Sequence, residues 1–509
     1  MGARPRDRSR TSDGTNGVGW WPAIVIAAVS LIDRIETSLL TGVLPLVQEE
    51  WGFSDTAGGA IPTAVTIAGL IVALPAGYLA DRTNRKNLLT IVVASWSVIT
   101  LASGLAVSFA MFFGTRVVLG AADNLDIPSQ SSLLGDYYPP ESRPKVFGLQ
   151  RMVYFVGIGM GSLLGGAIGQ LVGWRWAFFS MILPGLLVAW WCFRLREPVR
   201  GQADREAATR ARRGTGGTGG TGGTGEADGH DAPDGPEVLE GPAEAGGDAD
   251  APEGVPDGAV PAADGPASGE PAFAEPVAAD QAAGAVNPLE DGWPALREQI
   301  REIFVSRTLL FLLGAIVVLF LSLNGIFFWL PTFFVRTWDM GTALGGALTA
   351  LIIIVGVILG TVVGSIVGRR WHGVVVGGRV LAGGIGFVLG GVLMVAGFAS
   401  QTLGLQVGLL IGATAAMSIA IPNHFAAAAD CISPRNRGVG FTFTQVGMAA
   451  GSSFGPLLVG AVSDRTGELA VSFFALMPLI IIAGVVVLGG RRSYEADAAR
   501  VLEDSLSGR

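Results

Sequence analysis

The stretch "SLIDRIETSLLTGVLPLVQEEWG", residues 30–52, places three ionisable side chains, Asp33, Arg34 and Glu36, inside an otherwise apolar run. A helix needs about 20 apolar residues to cross a bilayer, and this run is long enough. A charge at the bilayer centre costs at least ~2.5–3.5 kcal/mol, so such groups face one another or a cavity. The stretch therefore predicts a membrane helix with a functional polar side.

The composition of the whole chain also indicates a membrane environment. Half of the 509 residues are hydrophobic, 15% are charged, and the mean hydropathy is +0.51. A soluble chain of this length would carry more charge on the surfaces of several domains. We predict an all-α membrane protein with twelve transmembrane helices in two six-helix halves. The predicted spans are 20–47, 56–80, 88–109, 112–135, 146–171, 177–195, 308–335, 343–367, 377–398, 404–429, 438–462 and 470–488.

The segment between the sixth and seventh spans differs sharply in composition. From Glu197 to Asp291 it is rich in Gly, Ala, Pro and acidic residues, with a net charge of −15 in a chain whose total is −8. Such a segment cannot bury enough apolar surface to fold. The predicted organisation is an N-terminal tail (1–19), a six-helix bundle (20–195), a disordered acidic linker (196–290), an amphipathic interfacial helix (291–306), a second six-helix bundle (307–488) and a C-terminal tail (489–509).

Basic residues in the short loops predict the orientation. Only Arg175, Arg336 and Arg465 fall on the side opposite the termini, whereas most loop Lys and Arg residues share the side of the termini. The positive-inside rule then places both termini and the linker in the cytoplasm. We expect a multi-pass protein of the cell (plasma) membrane.

Residues typical of enzyme sites are sparse and scattered. The two cysteines and three histidines show no metal-ligand spacing, and neither a phosphate-binding loop nor a nucleophile elbow is present in the sequence. We therefore predict no enzymatic activity and expect neither a cofactor, a metal ion nor a nucleic acid as partner.

The loop after the second span carries a specific motif. "GYLADRTNRKNLL", residues 77–89, resembles the signature of the major facilitator superfamily. The resemblance implies the fold of that superfamily, a monomer, and a site between two halves that alternately opens to each side of the membrane. The residues implied for the conformational switch are Gly77, Asp81, Arg82, Arg85 and Lys86.

Within that superfamily the chain most resembles the Spinster lipid transporters. The likeness covers residues 33–86, "RVVLGAADNLDIPSQSSLLGDYYP" (116–139), "IPNHFAAAADCISPRNRG" (421–438) and "GPLLVGAVSDR" (455–465). It implies a transporter of an amphipathic small molecule, such as a lysolipid. Asp123 stands where the family has Glu, and it is one methylene shorter.

The charged residues of the first and fourth spans predict a proton-coupling site. Asp33 lies about 13 residues into the first span, or about 20 Å at ~1.5 Å per residue, and Asp123 reaches a similar depth in the antiparallel fourth span. Arg116 and Asp123 are seven residues apart, on one helix face. Nearby arginines and burial act oppositely on the proton affinity of a carboxylate, which suits a conformation-dependent proton switch. The predicted set is Asp33, Arg34, Arg116 and Asp123; the alternative is a static buried ion-pair network.

Other polar residues in the spans are candidates for the substrate cavity. They are Glu36, Asp126, Asn324, Asn423, His424 and Gln445. For the uncharged ones, hydrogen bonding between helices is the alternative role.

These observations favour a secondary active transporter that works by alternating access, coupled to protons, and moves an amphipathic or lipid-like small molecule. The alternative within transport is an exporter of a drug or metabolite with a non-lipid substrate. The alternative of another class is a non-transporting membrane receptor that signals through the acidic linker. The expected partners are the small-molecule substrate, protons and the lipid bilayer.

Overall fold

The structure is a computed structural model that describes residues 19–123, 125–139, 142–199, 202–203, 205, 301, 306–432 and 437–506. The side chains of residues 73–82, 127, 128, 144, 151, 437–442, 502 and 504–506 are outside this description. Most of the predicted linker (196–290) and of the predicted interfacial helix (291–306) also lies outside the described residues, as does most of the predicted N-terminal tail (1–19).

Every regular element among the described residues is a helix. The first seven helices are α1 (Trp21–Trp51), α2 (Asp55–Arg82), α3 (Arg85–Gly104), α4 (Phe109–Asp123), α5 (Ile127–Tyr137), α6 (Arg143–Val172) and α7 (Trp174–Arg194). The helices after the linker are α8 (Arg307–Trp338), α9 (Thr342–Trp371), α10 (Gly378–Ala399), α11 (Leu403–Ser418), α12 (Ala420–Asp430), α13 (Arg437–Thr466) and α14 (Leu469–Leu506).

Ten helical stretches within the described ranges are long and apolar enough to span a membrane. The first predicted span falls short because Asp33, Arg34 and Glu36 lie close together in α1. The fourth falls short because it is divided between α4 and α5, with Pro128 in the first turn of α5. The prediction of an all-α membrane protein is confirmed, and the described helices are consistent with twelve spans.

Glycines allow the helices of the N-terminal half to pack closely. A Cβ atom at Gly161 would overlap the carbonyl oxygen of Ile35, and one at Gly165 would overlap that of Leu39. Small residues at such contacts are the usual way for membrane helices to approach, because lipid provides no hydrophobic drive for association. This packing fixes α6 against α1 and so places Tyr154 of α6 beside the charges of α1.

The two halves make their most extensive contacts through two pairs of helices: α2 packs on α13, and α6 packs on α9. We call the side that carries the turn between α1 and α2 the loop-1 face, and the side that carries the start of α1 and the end of α14 the terminal face. At the loop-1 face the Thr342 hydroxyl donates to the Gly166 carbonyl oxygen (3.0 Å), and the Ala343 N–H donates to Gln170 Oε1 (2.8 Å). These bonds fix α9 against α6 where the two halves meet.

The end of α14 ties the C-terminal half together at the terminal face. This helix continues through most of the predicted C-terminal tail (489–509), as far as Leu506. The Asp497 carboxylate accepts from the Ser306 hydroxyl (2.9 Å) and from the Thr308 N–H (3.0 Å). Because it bonds a backbone N–H at the start of α8, Asp497 acts as a cap supplied by another helix.

Candidate functional site

The Asp33–Arg34 pair of α1 is the first part of the candidate site. Arg34 donates from Nη2 (2.5 Å) and Nε (2.7 Å) to one carboxylate oxygen of Asp33, and its guanidinium lies 5.0 Å from the centre of the Tyr154 ring. Both charged side chains are largely buried, with exposed fractions of 12% for Asp33 and 21% for Arg34. The pair therefore lies between α1 and α6 with limited access to solvent.

The break in the fourth span brings two more carboxylates to this pair. Asp123 is the last residue of α4, and Asp126 is the N-cap residue of α5. Each interacts electrostatically with both Asp33 and Arg34. Asp123 and Asp126 thus both lie within electrostatic range of the Asp33–Arg34 pair. Asp123 is half-buried, whereas Asp126 is fully buried.

A chain of uncharged polar side chains surrounds Asp126. Gln130 donates from Nε2 to the Asp126 carboxylate. Its Oε1 accepts from the Ser30 hydroxyl (2.9 Å) and from Gln150 Nε2 (2.9 Å). These bonds connect α1, α5 and α6 around the carboxylate.

Glu36 and Arg116 form a second buried pair within the N-terminal half. Arg116 Nη2 lies 3.7 Å from Glu36 Oε1 and donates to the Ser103 hydroxyl (2.6 Å). Glu36 also accepts from the Thr100 hydroxyl. The guanidinium lies over the ring of Phe178, at 4.8 Å. Arg116 thus has its ion pair with Glu36 and interacts with Asp123 only through the field of the charges.

The four candidate residues of the C-terminal half are dispersed. Asn324 donates to the Ser452 hydroxyl of α13 (3.1 Å), and Asn423 donates to the Gly364 carbonyl oxygen of α9 (3.0 Å). His424 is buried, with Nδ1 2.9 Å from the Ala420 carbonyl oxygen, and Gln445 is exposed. Asn324 and Asn423 therefore make the hydrogen bonds between helices that were the alternative to a cavity role.

The signature loop is only partly described. The side chains of Gly77, Asp81 and Arg82 lie outside the described part of the structure. Arg85 pairs with Asp136 at the end of α5 and donates from Nε to Glu197 (3.0 Å).

Lys86 completes the described part of this loop. Its backbone N–H donates to the Glu197 carboxylate (2.9 Å), and its ammonium lies 5.3 Å from the centre of the Phe193 ring. Together with Arg85, it holds the residues that follow α7 against the start of α3. These contacts stay within the N-terminal half.

A clasp that we did not predict joins the two halves at the loop-1 face. Arg336, at the end of α8, donates to both carboxylate oxygens of Asp55 at the start of α2, each at 2.8 Å. Asp55 also accepts from the Gln48 amide (2.8 Å) and from the Ser463 hydroxyl (2.7 Å). We use "clasp" for Gln48, Asp55, Thr56, Arg336, Ser463 and Asp464.

The second half of the clasp is a helix cap supplied in trans. Asp464 of α13 accepts from the backbone N–H groups of Asp55 (2.9 Å) and Thr56 (2.8 Å), which begin α2. The first N–H groups of a helix have no partner within the helix, and a carboxylate there is stabilising. The clasp thus bonds each half to charged groups of the other.

The arrangement suits a membrane site that binds and releases protons or small cations. Three carboxylates, of Asp33, Asp123 and Asp126, and the guanidinium of Arg34 act on one another electrostatically between α1, α4 and α5. Within the described ranges, no three His, Cys, Asp or Glu side chains are grouped as ligands of a metal ion would be. The fold and the site together define a two-halved helical membrane protein with buried charges in one half.

Residues 26–389 match the Major Facilitator Superfamily. The chain therefore belongs to this superfamily, whose members are transporters and not enzymes. Both the superfamily prediction and the prediction that the protein is no enzyme are confirmed.

Known proteins add detail to this assignment. The crystal structure of a bacterial homolog of the human lysosomal transporter Spinster, in an inward-facing and unoccupied conformation, has a TM-score of 0.65 and 19% identity, over 96% of this chain and 99% of that one. Protein spinster of Drosophila melanogaster is 25% identical over 186 residues, 36% of this chain and 31% of that protein. The gallate transporter of Pseudomonas putida is 30% identical over 199 residues, 37% of this chain and 42% of that protein. The matched region thus spans only 31% and 42% of the length of these two curated relatives.

Proposed function

We propose that the protein is a secondary active transporter that works by alternating access, couples transport to protons, and moves an amphipathic small molecule. The observation that carries the proposal is the meeting of Asp33, Arg34, Asp123 and Asp126 between α1, α4 and α5. The similarity to Spinster proteins supports the same class. We expect a monomer in the plasma membrane with both termini in the cytoplasm.

The charge balance of this site supports proton coupling. Asp33, Asp123 and Asp126 are three acidic groups, and among the described residues the direct ion pair in this group joins Arg34 to Asp33. Arg34 acts on Asp123 and Asp126 only through its field. Leaving two uncompensated anions in a membrane is costly, so the site takes up protons or another cation. If solvent access to Asp123 changes with conformation, its proton affinity changes too, which is the requirement for coupling.

An apolar face of α9 supports an amphipathic substrate. This face is formed by six aliphatic side chains, four of them exposed: Ile354, Val355, Ile358, Leu359, Val362 and Val363. It continues from the contact between α6 and α9, where Ile354 meets Gly159. Tyr154, one and a half turns away on α6, contacts Arg34. A polar head group near Arg34 and an apolar tail along α9 would use both surfaces.

A small aromatic acid is the second candidate substrate, because of the similarity to the gallate transporter of Pseudomonas putida. Proteoliposomes that contain the purified protein separate the two candidates. A labelled lysophospholipid and labelled gallate are each offered with and without an inward proton gradient. We expect gradient-driven accumulation of the lysophospholipid. Accumulation of gallate alone would replace the lipid proposal and keep the transport proposal.

The carboxylates are tested in the same vesicles. Asp33→Asn and Asp123→Asn should each abolish accumulation driven by protons and keep substrate exchange, since an amide resembles the protonated acid. Asp430→Asn, which alters an ion pair at the terminal face, is the matched control. A static ion-pair network gives another result: Asp33→Asn would be unstable because Arg34 loses its partner, and Asp123→Asn would leave proton-driven accumulation unchanged. Folded variants that still accumulate substrate would disprove the coupling role.

A further inference from the structure

We propose that Gln130 is a positioning residue: it holds Asp126 as a permanent anion beside Asp123, which leaves Asp123 as the carboxylate that exchanges the proton. The inference rests on the proposed proton coupling of the same site. It concerns a residue outside the predicted site and a carboxylate, Asp126, to which the sequence assigned only a place in the substrate cavity.

The orientation of the Gln130 amide is fixed by its neighbours. Its Oε1 receives two donors, the Ser30 hydroxyl and Gln150 Nε2, both at 2.9 Å. An amide oxygen has two lone pairs, so both are used. The NH₂ group must then face Asp126, where it donates a hydrogen bond to the carboxylate. Turning the amide over would set NH₂ against the NH₂ of Gln150 and lose these bonds.

The two carboxylates also lie at opposite kinds of helix end. Asp126 is the N-cap residue of α5, where the helix dipole stabilises an anion. Asp123 is the last residue of α4, where the same dipole destabilises an anion. A buried donor therefore supports charge on Asp126, the more buried of the two, whereas Asp123 is half-buried. The break in the fourth span gives two acids three residues apart different roles.

Other charged and titratable groups surround this pair on all sides. They are Asp33, Arg34 and Glu36 of α1, Arg116 of α4, Tyr154 of α6 and Cys192 of α7. Arg34 is already bound to Asp33, and Arg116 is paired with Glu36. A fixed anion at Asp126 therefore acts on Asp123 as a like charge, alongside the opposite charge of Arg34. A carboxylate beside another carboxylate takes up its proton at a higher pH than it would alone.

Infrared difference spectroscopy of the protein in lipid tests this without a substrate. A protonated carboxylic acid gives its own C=O band, and the pH is varied from alkaline to acidic. We expect a titrating band that is lost in Asp123→Asn. In Asp126→Asn the band should remain, with its midpoint about one pH unit lower. Gln130→Met should lower the midpoint too, and the Asp126→Asn/Gln130→Met double variant should match Asp126→Asn alone.

Gln406→Met is the matched control, because Gln406 is an equally buried glutamine of the C-terminal half that donates to the Gly397 carbonyl oxygen. It should leave the midpoint unchanged. If Gln130→Met does not fold, Gln150→Leu frees the Gln130 amide to turn and should lower the midpoint in part.

Two results would overturn the inference. One is a band that survives in Asp123→Asn and disappears in Asp126→Asn. The other is a Gln130→Met effect of the same size with and without Asp126. A band that behaves as expected in a protein that shows no proton-driven accumulation would instead reject the proposed function and keep the assignment of the two acids.

Discussion

Charged groups bond the loop-1 face and the terminal face in different ways. At the loop-1 face, Arg336 and Asp464 of the C-terminal half bond to the start of α2 in the N-terminal half. At the terminal face, Arg85 pairs with Asp136 and Arg379 with Asp430, each within one half. Ion pairs and charged hydrogen bonds therefore hold the two halves together at the loop-1 face, whereas at the terminal face they hold helices together within each half. The bonds of the first kind have to break when the halves move apart at the loop-1 face, together with the bonds of Thr342 and Ala343 to α6; the bonds at the terminal face do not.

Removal of the clasp should produce the largest change. We expect Arg336→Gln combined with Asp464→Ala to destabilise the closed loop-1 face by on the order of 2 kcal/mol, which changes the equilibrium between closed and open states more than tenfold. Hydrogen bonds to charged groups contribute about 1.5–3 kcal/mol, and a helix cap contributes about 1 kcal/mol. Arg336 is 44% exposed, so solvent screening places its contribution at the lower end of this range. The distance between the halves is measured with spin labels on cysteines that replace the exposed Leu105 and Leu405. The native cysteines are first removed by Cys192→Ala and Cys431→Ala.

The control for the clasp is Arg379→Gln, which breaks an ion pair of similar chemistry within the C-terminal half. It should leave the distance between the two labels unchanged. Equal lengthening in both variants would mean that general loss of stability, and not the clasp, opens the loop-1 face.

A smaller effect is expected at the contact of α6 and α9. A Cβ atom at Gly166 would overlap the backbone carbonyl oxygen of Thr342, which cannot move aside without moving α9. Gly166→Ala should therefore disfavour the closed loop-1 face by about 1 kcal/mol, the lower end of the usual cost of overpacking. The same pair of labels measures it.

Gly148→Ala is the control on the same helix, because a Cβ atom there meets open space. It should change neither the distance between the labels nor transport. If Gly166→Ala were as neutral as Gly148→Ala, the contact of α6 and α9 would not limit closure.

The sequence predicted the parts of the site that break a local pattern. Asp33 and Arg34 were found because charge is rare in an apolar run. The clasp was missed because Asp55, Arg336 and Asp464 lie at helix ends, where charges are ordinary, and because Asp55 and Asp464 are 409 residues apart. No local pattern indicates such a partner.

The interruption of the fourth span had a signal that the prediction did not use. Residues 112–135 were predicted as one span, although Pro128 lies within them and Pro is favoured in the first turn of a helix. The spacing of Arg116 and Asp123 indicated a shared helix face, but it could not show that Glu36 offers Arg116 the closer carboxylate. That choice depends on how α1, α3 and α4 pack.

The smallest effect is expected for an ion pair that lies on the loop-1 face but within one half. Arg175 at the start of α7 donates from Nη1 and Nη2 to the two carboxylate oxygens of Glu50 at the end of α1, at 2.7 and 2.6 Å. The two side chains are 36% and 37% exposed, so the pair contributes less than about 1 kcal/mol. Arg175→Gln should therefore lower stability slightly and leave the distance between the labels unchanged.

Acid should remove this small difference in stability between the parent protein and Arg175→Gln. The hydrogen-bonded Arg175 guanidinium lowers the pKa of Glu50 below its ordinary value of about 4.3. A carboxyl group whose pKa is lowered by folding stabilises the folded state at a pH above its ordinary pKa. This stabilisation is lost as the pH falls through the lowered pKa of the folded state. Thermal unfolding of the parent and of Arg175→Gln should thus differ at neutral pH and converge in acid. Arg175→Gln could instead lengthen the distance between the labels as the clasp variants do. In that case any bond on the loop-1 face, and not specifically a bond between the two halves, would control closure.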